Sequence, residues 1–338
     1  MIIISYNLNN LSVNENNGVL LNIISKFSKG FNIVHFNARS LNSLKLDYIR
    51  DIFSDSNIHA ICVTETWFCE DVQDVYLNIP NYQLFRNDRA GKNRDNRVRR
   101  NNGGGVAIYI KQSLKARVIG MSKNSKVEYL NVELGDSSCK VLVSCVYNPH
   151  RNNSLNDFFN EFVPFVTEYE HIVLCGDFNV NVLNIDNVSS DFLNSVALTG
   201  LSIVNSVAPT RFGKNSPPSL LDMFLVSNKS IVNHFDQISF ISDHDLIFSS
   251  FDIQLTHSTI TTSFSFRNFK AIDFPSLYNE LMSTDWQSCT LADTVDDELF
   301  VLSSEIKRIF DKFVPIKTVN SKKSTCPWFR KLKYFILI

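Results

Sequence analysis

The sequence predicts an α/β or α+β protein with two packed sheets, and three observations lead there. Short Val- and Ile-rich runs recur along the chain, each about the length of a strand. Stretches with apolar residues at helical spacing lie between them. Clusters of Gly, Pro and Asn punctuate both kinds of segment. With 338 residues, 44% of them hydrophobic and 20% charged, the chain can bury one large core and carry an appendage.

Residues 1–30 form a polar, Asn-rich leader with one apolar patch, Val19–Ile24. Phe31–Phe36 reads as a strand running into Asn37-Ala38-Arg39-Ser40-Leu41, and Leu44, Tyr48, Ile49 and Phe53 then recur as on a helix. Ala60–Val63 is the next strand, ending in Thr64-Glu65-Thr66-Trp67. A basic loop over 86–102 contains Arg86, Arg89, Lys92, Arg94, Arg97, Arg99 and Arg100; Gly103-Gly104-Gly105 leads from it into a strand, Val106–Ile110. Tyr129–Leu134 and Lys140–Tyr147, around Gly135-Asp136, read as a hairpin that ends in Tyr147-Asn148-Pro149. Leu155, Phe158, Phe159, Phe162 and Val166 give a helix leading to the strand Ile172–Cys175, which ends in Gly176-Asp177-Phe178-Asn179. Phe192–Leu201 suggests a further helix, and Pro209-Thr210-Arg211-Phe212 with Pro217-Pro218 marks a long loop. Leu220–Ser227 is a strand with Asp222 near its start, and Ile238–Ile241 reads as a last short strand ending in Ser242-Asp243-His244. Beyond residue 254 the composition changes: Leu299, Leu302, Ile306, Ile309, Phe310 and Phe313 form a helical stripe, and Lys317–Lys333 is basic.

A net charge of −1 excludes a globally basic nucleic-acid binder, so any DNA contact must come from local patches or from a cation that offsets carboxylate repulsion. Seven cysteines without a C-x-x-C pair, three of them inside apolar runs, predict a reducing intracellular setting. No apolar run reaches membrane-spanning length, and Met1–Asn10 lacks the features of a signal peptide.

Acidic or amide residues bound five of the strand-like segments: Asn37, Glu65, Asp177 with Asn179, Asp222, and Asp243 beside His244. Strand ends are where side chains distant in sequence can meet. Hard oxygen donors there suit Mg²⁺ or Mn²⁺, and a neighbouring His suits acid–base work. Each residue alone also reads as a turn residue or a hydrogen-bonded structural group. His35 and His171, at strand positions, are taken as structural. The glycine triplet reads as a hinge or a phosphate cradle, and the basic loop as a DNA contact or a solvated insertion. Ser242-Asp243-His244 is no serine-protease arrangement, because no nucleophile elbow accompanies it.

Taken in order, Asn37, Thr64-Glu65-Thr66, Tyr147-x-Pro149, Gly176-Asp177-Phe178-Asn179, Leu221-Asp222 and Ser242-Asp243-His244 resemble the motif series of the endonuclease/exonuclease/phosphatase superfamily. The resemblance spans residues 31–253 and implies an α+β fold, a four-layer α/β/β/α sandwich of two mixed sheets, with a helical C-terminal extension over 254–338. Asn37–Leu41 and Thr64–Trp67 look most like the apurinic-like endonuclease of non-LTR, jockey-like retrotransposons. On that likeness the tail, with Asp285-Trp286 and Pro327-Trp328, resembles the linker to a reverse transcriptase. No polymerase motif is present, so a fragment or truncated reading frame is expected.

The resemblance implies an Mg²⁺-dependent DNA endonuclease (Mn²⁺ is the other candidate) acting in the nucleus, with element RNA or a reverse transcriptase as further partners. It assigns the metal to Glu65, Asn37 and Asp243. It assigns catalysis to Asp177, Asn179, His244, Asp222 and Tyr147, and substrate contacts to Arg39, Asn148, Thr210 and Arg211. Many apurinic-type members carry an acid where Arg39 stands here, which leaves more of the metal to Glu65. Two other readings stay open: a small-molecule phosphoesterase of the same fold, and a catalytically silent remnant.

Overall fold

A computed structural model describes residues 30–89, 103–123, 126–136, 139–149, 154–255, 262–269, 272–287 and 294–321. Residues 1–29 of the Asn-rich leader, residues 90–102 of the basic loop and the chain from 322 on, with Pro327-Trp328, lie outside the described residues. The chain divides into two compact units, Met1–Ser258 and Thr259–Ile338.

The first unit holds two six-stranded sheets. One contains β1 (Phe31–Asn37), β2 (Ala60–Thr64), β3 (Tyr82–Asn87), β4 (Val106–Lys111), β11 (Val232–Ser239) and β12 (Asp245–Phe251), in the order β11-β12-β1-β2-β4-β3. The other contains β5 (Ala116–Met121), β6 (Glu128–Gly135), β7 (Lys140–Tyr147), β8 (His171–Asp177), β9 (Ser202–Ile203) and β10 (Asp222–Val226), in the order β5-β6-β7-β8-β10-β9. Each sheet has one parallel pair with a helical crossover: α1 (Ser43–Phe53) joins β1 to β2, and α3 (Ser154–Glu168) joins β7 to β8. A short α2 (Asp74–Leu77) and α4 (Asn187–Leu198) complete the unit.

The period-two alternation of each strand builds the layers. Phe31 and Ile33 of β1, Ala60 and Cys62 of β2, Val143 and Cys145 of β7, Val173 and Cys175 of β8, and Phe224 and Val226 of β10 share one core between the sheets. The residues between them face outward. Val34, Phe36, Ile61 and Val63 pack with Leu46, Ile49 and Phe53 of α1, whereas Leu142, Ile172, Leu174 and Leu225 pack with α3 and α4. This is the expected α/β/β/α sandwich. The abundance of phenylalanine is put to use on the second outer face, where Phe158, Phe159, Phe162, Phe178 and Phe192 form a chain of tilted rings 5.2–6.0 Å apart. Each buried ring contributes ~1.5–3 kcal/mol of transfer free energy.

Two element boundaries differ from expectation. The strand expected at Ile238–Ile241 is the end of the longer β11, and the final strand of the sandwich, β12, follows Ser242-Asp243-His244. That triplet is therefore the turn between two antiparallel strands. Polar residues alternating through Val232–Ser239 mark a half-exposed edge strand and hide its period. The second unit contains α5 (Phe274–Ser283) and α6 (Val295–Phe313), and also an antiparallel pair, β13 (Thr262–Arg267) with β14 (Ile316–Ser321), which the helical stripe did not suggest.

Candidate active site at the rim of the sandwich

The alternation that builds the inner core also builds the site. Asn37 continues the inward series of β1, Tyr147 that of β7, and Asp177 that of β8. Asp222 opens the antiparallel β10 directly opposite Asp177, and Tyr147 is the parallel-register partner of Asp177 on its other side. Polar side chains thus cap the apolar layer where it reaches solvent, at one rim of the two sheets. Gly176 makes the register possible, since a Cβ there would lie 1.8 Å from the Val146 carbonyl oxygen.

Asn37 ties the sheets together at this rim. Its Nδ2 donates to Glu65 Oε1 at 2.9 Å and to Asp177 Oδ2 at 2.8 Å, and its Oδ1 accepts the Arg39 N–H at 2.9 Å. Glu65 follows β2 with φ +51°, which turns its side chain back toward Asn37. Asn179, at φ +52°, returns its backbone N–H to Asp177 Oδ1 at 3.0 Å, and its Nδ2 donates to the Asn148 carbonyl at 2.7 Å. Asp177 is buried. Burial first, then the charge of Asp222, pushes its carboxyl up to about 7, with His244, Asn37 and the Asn179 N–H partly opposing the rise. The Tyr147 phenol is also raised, by burial and by the carboxylates of Glu65 and Asp177, so it remains a hydrogen-bond donor.

Beside this group, Asp222 accepts three bonds: from Thr210 Oγ1 at 2.8 Å, His244 Nδ1 at 2.8 Å and His35 Nε2 at 3.2 Å. Burial opposes ionisation of Asp222, but the two histidines outweigh it and hold its pKa below the usual carboxylate range. Burial likewise opposes the charge on His244, yet Asp222 outweighs it and raises the imidazole to about 9. His244 is therefore an imidazolium at neutral pH, and Asp222 fixes its Nδ1 proton.

Other residues expected at the site are held by partners within the protein. Asp243, expected beside the metal, is clasped between Arg39 Nη1 at 2.8 Å and Arg211 Nε at 3.3 Å. Two guanidiniums thus flank its carboxylate. Thr210, expected to meet substrate, is fully buried; its hydroxyl accepts the backbone N–H of Leu221 and Asp222 and donates to the Asp222 carboxylate. Asn148, also expected at the substrate, is fully buried and donates to the Phe178 carbonyl. Arg39 and Arg211 remain partly exposed at the rim. His35, read as structural, is fully buried and is the second histidine on Asp222, a partnership hidden because a lone His inside an apolar strand carries no distinguishing signal. Of the basic loop, Arg86 pairs with Asp74 and Asp88, and Arg89 pairs with Glu128 while lying over the Tyr147 ring. These two arginines are tied into the protein itself.

Two donor sets could receive a cation. Asp177, Asp222 and His244 place ligand atoms within 4.8 Å of one another. Asp222, however, already serves three donors and His244 Nδ1 is engaged by it. Glu65 and Asp177, hard carboxylates on either side of the Asn37 amide, suit a small divalent cation better.

Carboxylates and a clamped imidazolium thus gather at one rim of the two-sheet sandwich. The chain belongs to the endonuclease/exonuclease/phosphatase family, whose profile matches residues 4–244. No curated protein sequence matches it. Among solved structures it is similar to the endonuclease domain of TRAS1, a telomere-specific non-LTR retrotransposon. That likeness has 11% identity and a TM-score of 0.51, and covers 67% of this chain and all of that one. A 3′ phosphatase from Neisseria, bound to a product DNA hairpin, matches at 16% identity and a TM-score of 0.50, over 66% of this chain and all of that one. At these identities the likeness establishes the fold. Among the described residues, no helix is long and apolar enough to cross a membrane.

Proposed function

We propose that the chain is an Mg²⁺-dependent DNA endonuclease that nicks phosphodiester bonds, acting in the nucleus as part of a non-LTR retrotransposon protein. The observation that carries this reading is the pairing, at one rim, of a buried carboxyl poised near neutral pH, Asp177, with a clamped imidazolium, His244.

Asp177 would accept the proton of the attacking water, its carboxylate oriented by the Asn37 amide and the Asn179 N–H. His244, charged and fixed through Nδ1, leaves Nε2–H to donate to a non-bridging phosphoryl oxygen. The Tyr147 hydroxyl, kept protonated, would donate to the phosphate or the leaving oxygen. Arg39 and Arg211 would bind flanking phosphates. Glu65 and Asn37 would hold Mg²⁺. When bound, it supplies charge neutralisation at the phosphoryl oxygens.

The test is conversion of supercoiled plasmid to the nicked circle, with Mg²⁺ and with EDTA, by the wild type and by His244→Ala. Mg²⁺-dependent nicking that His244→Ala slows by ~10²-fold or more is expected. Phosphate release from inositol phosphates without nicking would transfer the site to small-molecule substrates, and no turnover of either would make the chain a silent remnant.

A further inference from the structure

His35 has no part in the mechanism above, yet the fold sets it directly beneath the site. It stands two residues before Asn37 on β1, so both continue the inward series of Phe31 and Ile33. Both reach across to the opposite sheet. Asn37 Nδ2 donates to Asp177 Oδ2 at 2.8 Å, and His35 Nε2 lies 3.2 Å from Asp222 Oδ1. Asp177 and Asp222 are themselves register partners on β8 and β10. Two successive inward positions of one strand therefore hold two facing acids of the other sheet.

The two oxygens of Asp222 have different partners. Oδ2 takes the Thr210 hydroxyl and His244 Nδ1, each at 2.8 Å, whereas Oδ1 faces His35. His35 and Asp222 are both fully buried, which keeps Oδ1 out of contact with bulk water. An ionised oxygen buried without a donor is costly, and Asp222 is held ionised, so the His35 proton sits on Nε2 and is donated to Oδ1. The other ring nitrogen, Nδ1, is buried and makes no hydrogen bond among the described residues. A polar ring with one unserved nitrogen is a poor filling for a core, which leaves the bond to Asp222 as its use. His244 belongs to the turn between β11 and β12, and β1 lies beside β12 in that same sheet. Two histidines of one sheet thus grip one carboxylate of the other, one at each oxygen, and stop it from rotating.

We propose that His35 is a positioning residue: by donating to Asp222 Oδ1 it fixes the carboxylate plane, which keeps Oδ2 on His244 Nδ1 and so aims Nε2 of that ring at the phosphate. Its consequence for rate rests on the DNA-cleavage reading; the grip on Asp222 does not. Misplacing a catalytic group by about an ångström costs up to ~10²-fold in rate, so a residue away from the reacting atoms can carry a large effect.

The test compares, in the full chain, His35→Gln, whose amide nitrogen stands close to where Nε2 does, with His35→Leu, which has no donor. Without turnover, proton NMR in EDTA near neutral pH should show a downfield resonance for the proton between His244 Nδ1 and Asp222, identified by its loss in His244→Ala. The wild type and His35→Gln should keep it, and His35→Leu should shift or lose it. Its absence from the wild type, or an unchanged signal in His35→Leu, would overturn the grip. In nicking, His35→Leu should lower kcat about tenfold or more with KM for DNA changed by less than about twofold, and His35→Gln should stay within about threefold of the wild type. On an Asp222→Ala background, His35→Leu should slow kcat by less than about twofold further, since the two act as one unit; a full repeat of its effect would make His35 a structural residue alone. Should His35→Leu not fold, His35→Asn takes its place: its shorter amide stops short of Oδ1, and behaviour equal to that of His35→Gln counts against the proposal. A wild type that shows the resonance but never nicks defeats the nuclease reading and leaves the grip standing.

Discussion

Replacing Asp222 by Asn removes the charge that holds His244 as an imidazolium while preserving side-chain shape. The rise from the ordinary imidazole value of 6.5 to about 9 corresponds to roughly 3 kcal/mol of stabilisation of the charged form. With Asp222 gone, burial lowers the imidazole while Asp177 and Asp243 still raise it, so in Asp222→Asn it should titrate below about 9, toward its ordinary value of 6.5. At about pH 7.5 the wild-type ring is nearly all charged, and a ring returned to 6.5 would be about one-tenth charged, a loss of rate of up to about tenfold from protonation alone. Loss of the orienting acceptor adds to this, for a total of ~10²–10⁴. The assay is kcat/KM for nicking across pH 5.5–10. The wild type should lose activity as pH rises through about 9, and in the variant that alkaline limb should move down toward about 6.5. Stability follows the same linkage. His244, raised in the folded state, contributes fully below its unfolded value of 6.5 and loses that contribution as pH rises through about 9. Asp222, lowered in the folded state, contributes above its unfolded value of 3.8 and loses that contribution in acid. The stability deficit of the variant should therefore be greatest between about pH 4 and 6.5 and fade above about 9. An alkaline limb at the same pH in both proteins would refute the assignment.

Asp177→Asn should abolish Mg²⁺-dependent nicking and, in EDTA, flatten the pH dependence of stability. A carboxyl raised to about 7 on folding weakens the folded state as pH rises from about 4 to 7, and the amide does not titrate; full activity or an unchanged pH dependence would count against it. Gly176→Ala drives a Cβ into the Val146 carbonyl and should cost ~3 kcal/mol or more in denaturant titration, shifting Asp177 with it.

What could be read from the sequence was whatever repeats or ends abruptly. The apolar runs of β1, β7, β8 and β10 gave both sheets, and a polar residue at the end of each gave Asn37, Tyr147, Asp177 and Asp222, because one alternation controls core and rim alike. Edge strands were harder. Ala116–Met121 and Val232–Ser239 are half exposed, and pairing rather than burial defines them. Roles that depend on partners far along the chain were invisible. His35 meets Asp222 across 187 positions, and Thr210 reads as a loop residue until its hydroxyl is found on that same carboxylate. The two guanidiniums around Asp243 were hidden for a related reason: Arg39 and Arg211 lie far from it along the chain.

Those guanidiniums give the sharpest test of how the rim meets DNA. Asp243 neutralises one of two, so the Arg39–Asp243–Arg211 group keeps one net positive charge, with the Arg39 side chain 53% exposed and that of Arg211 31% exposed. If Arg39 serves only to balance Asp243, Arg39→Ala should lower stability by no more than ~1 kcal/mol and leave DNA affinity with its usual salt dependence, because Arg211 still pairs with Asp243. If it contacts a phosphate, one counterion fewer is released on binding, and the slope of log K against log salt should become shallower by about 0.9. Fluorescence anisotropy at several salt concentrations measures that slope directly. A shallower slope, with KM raised more than kcat is lowered, assigns Arg39 to the phosphate backbone; an unchanged slope leaves it as the counterion of Asp243.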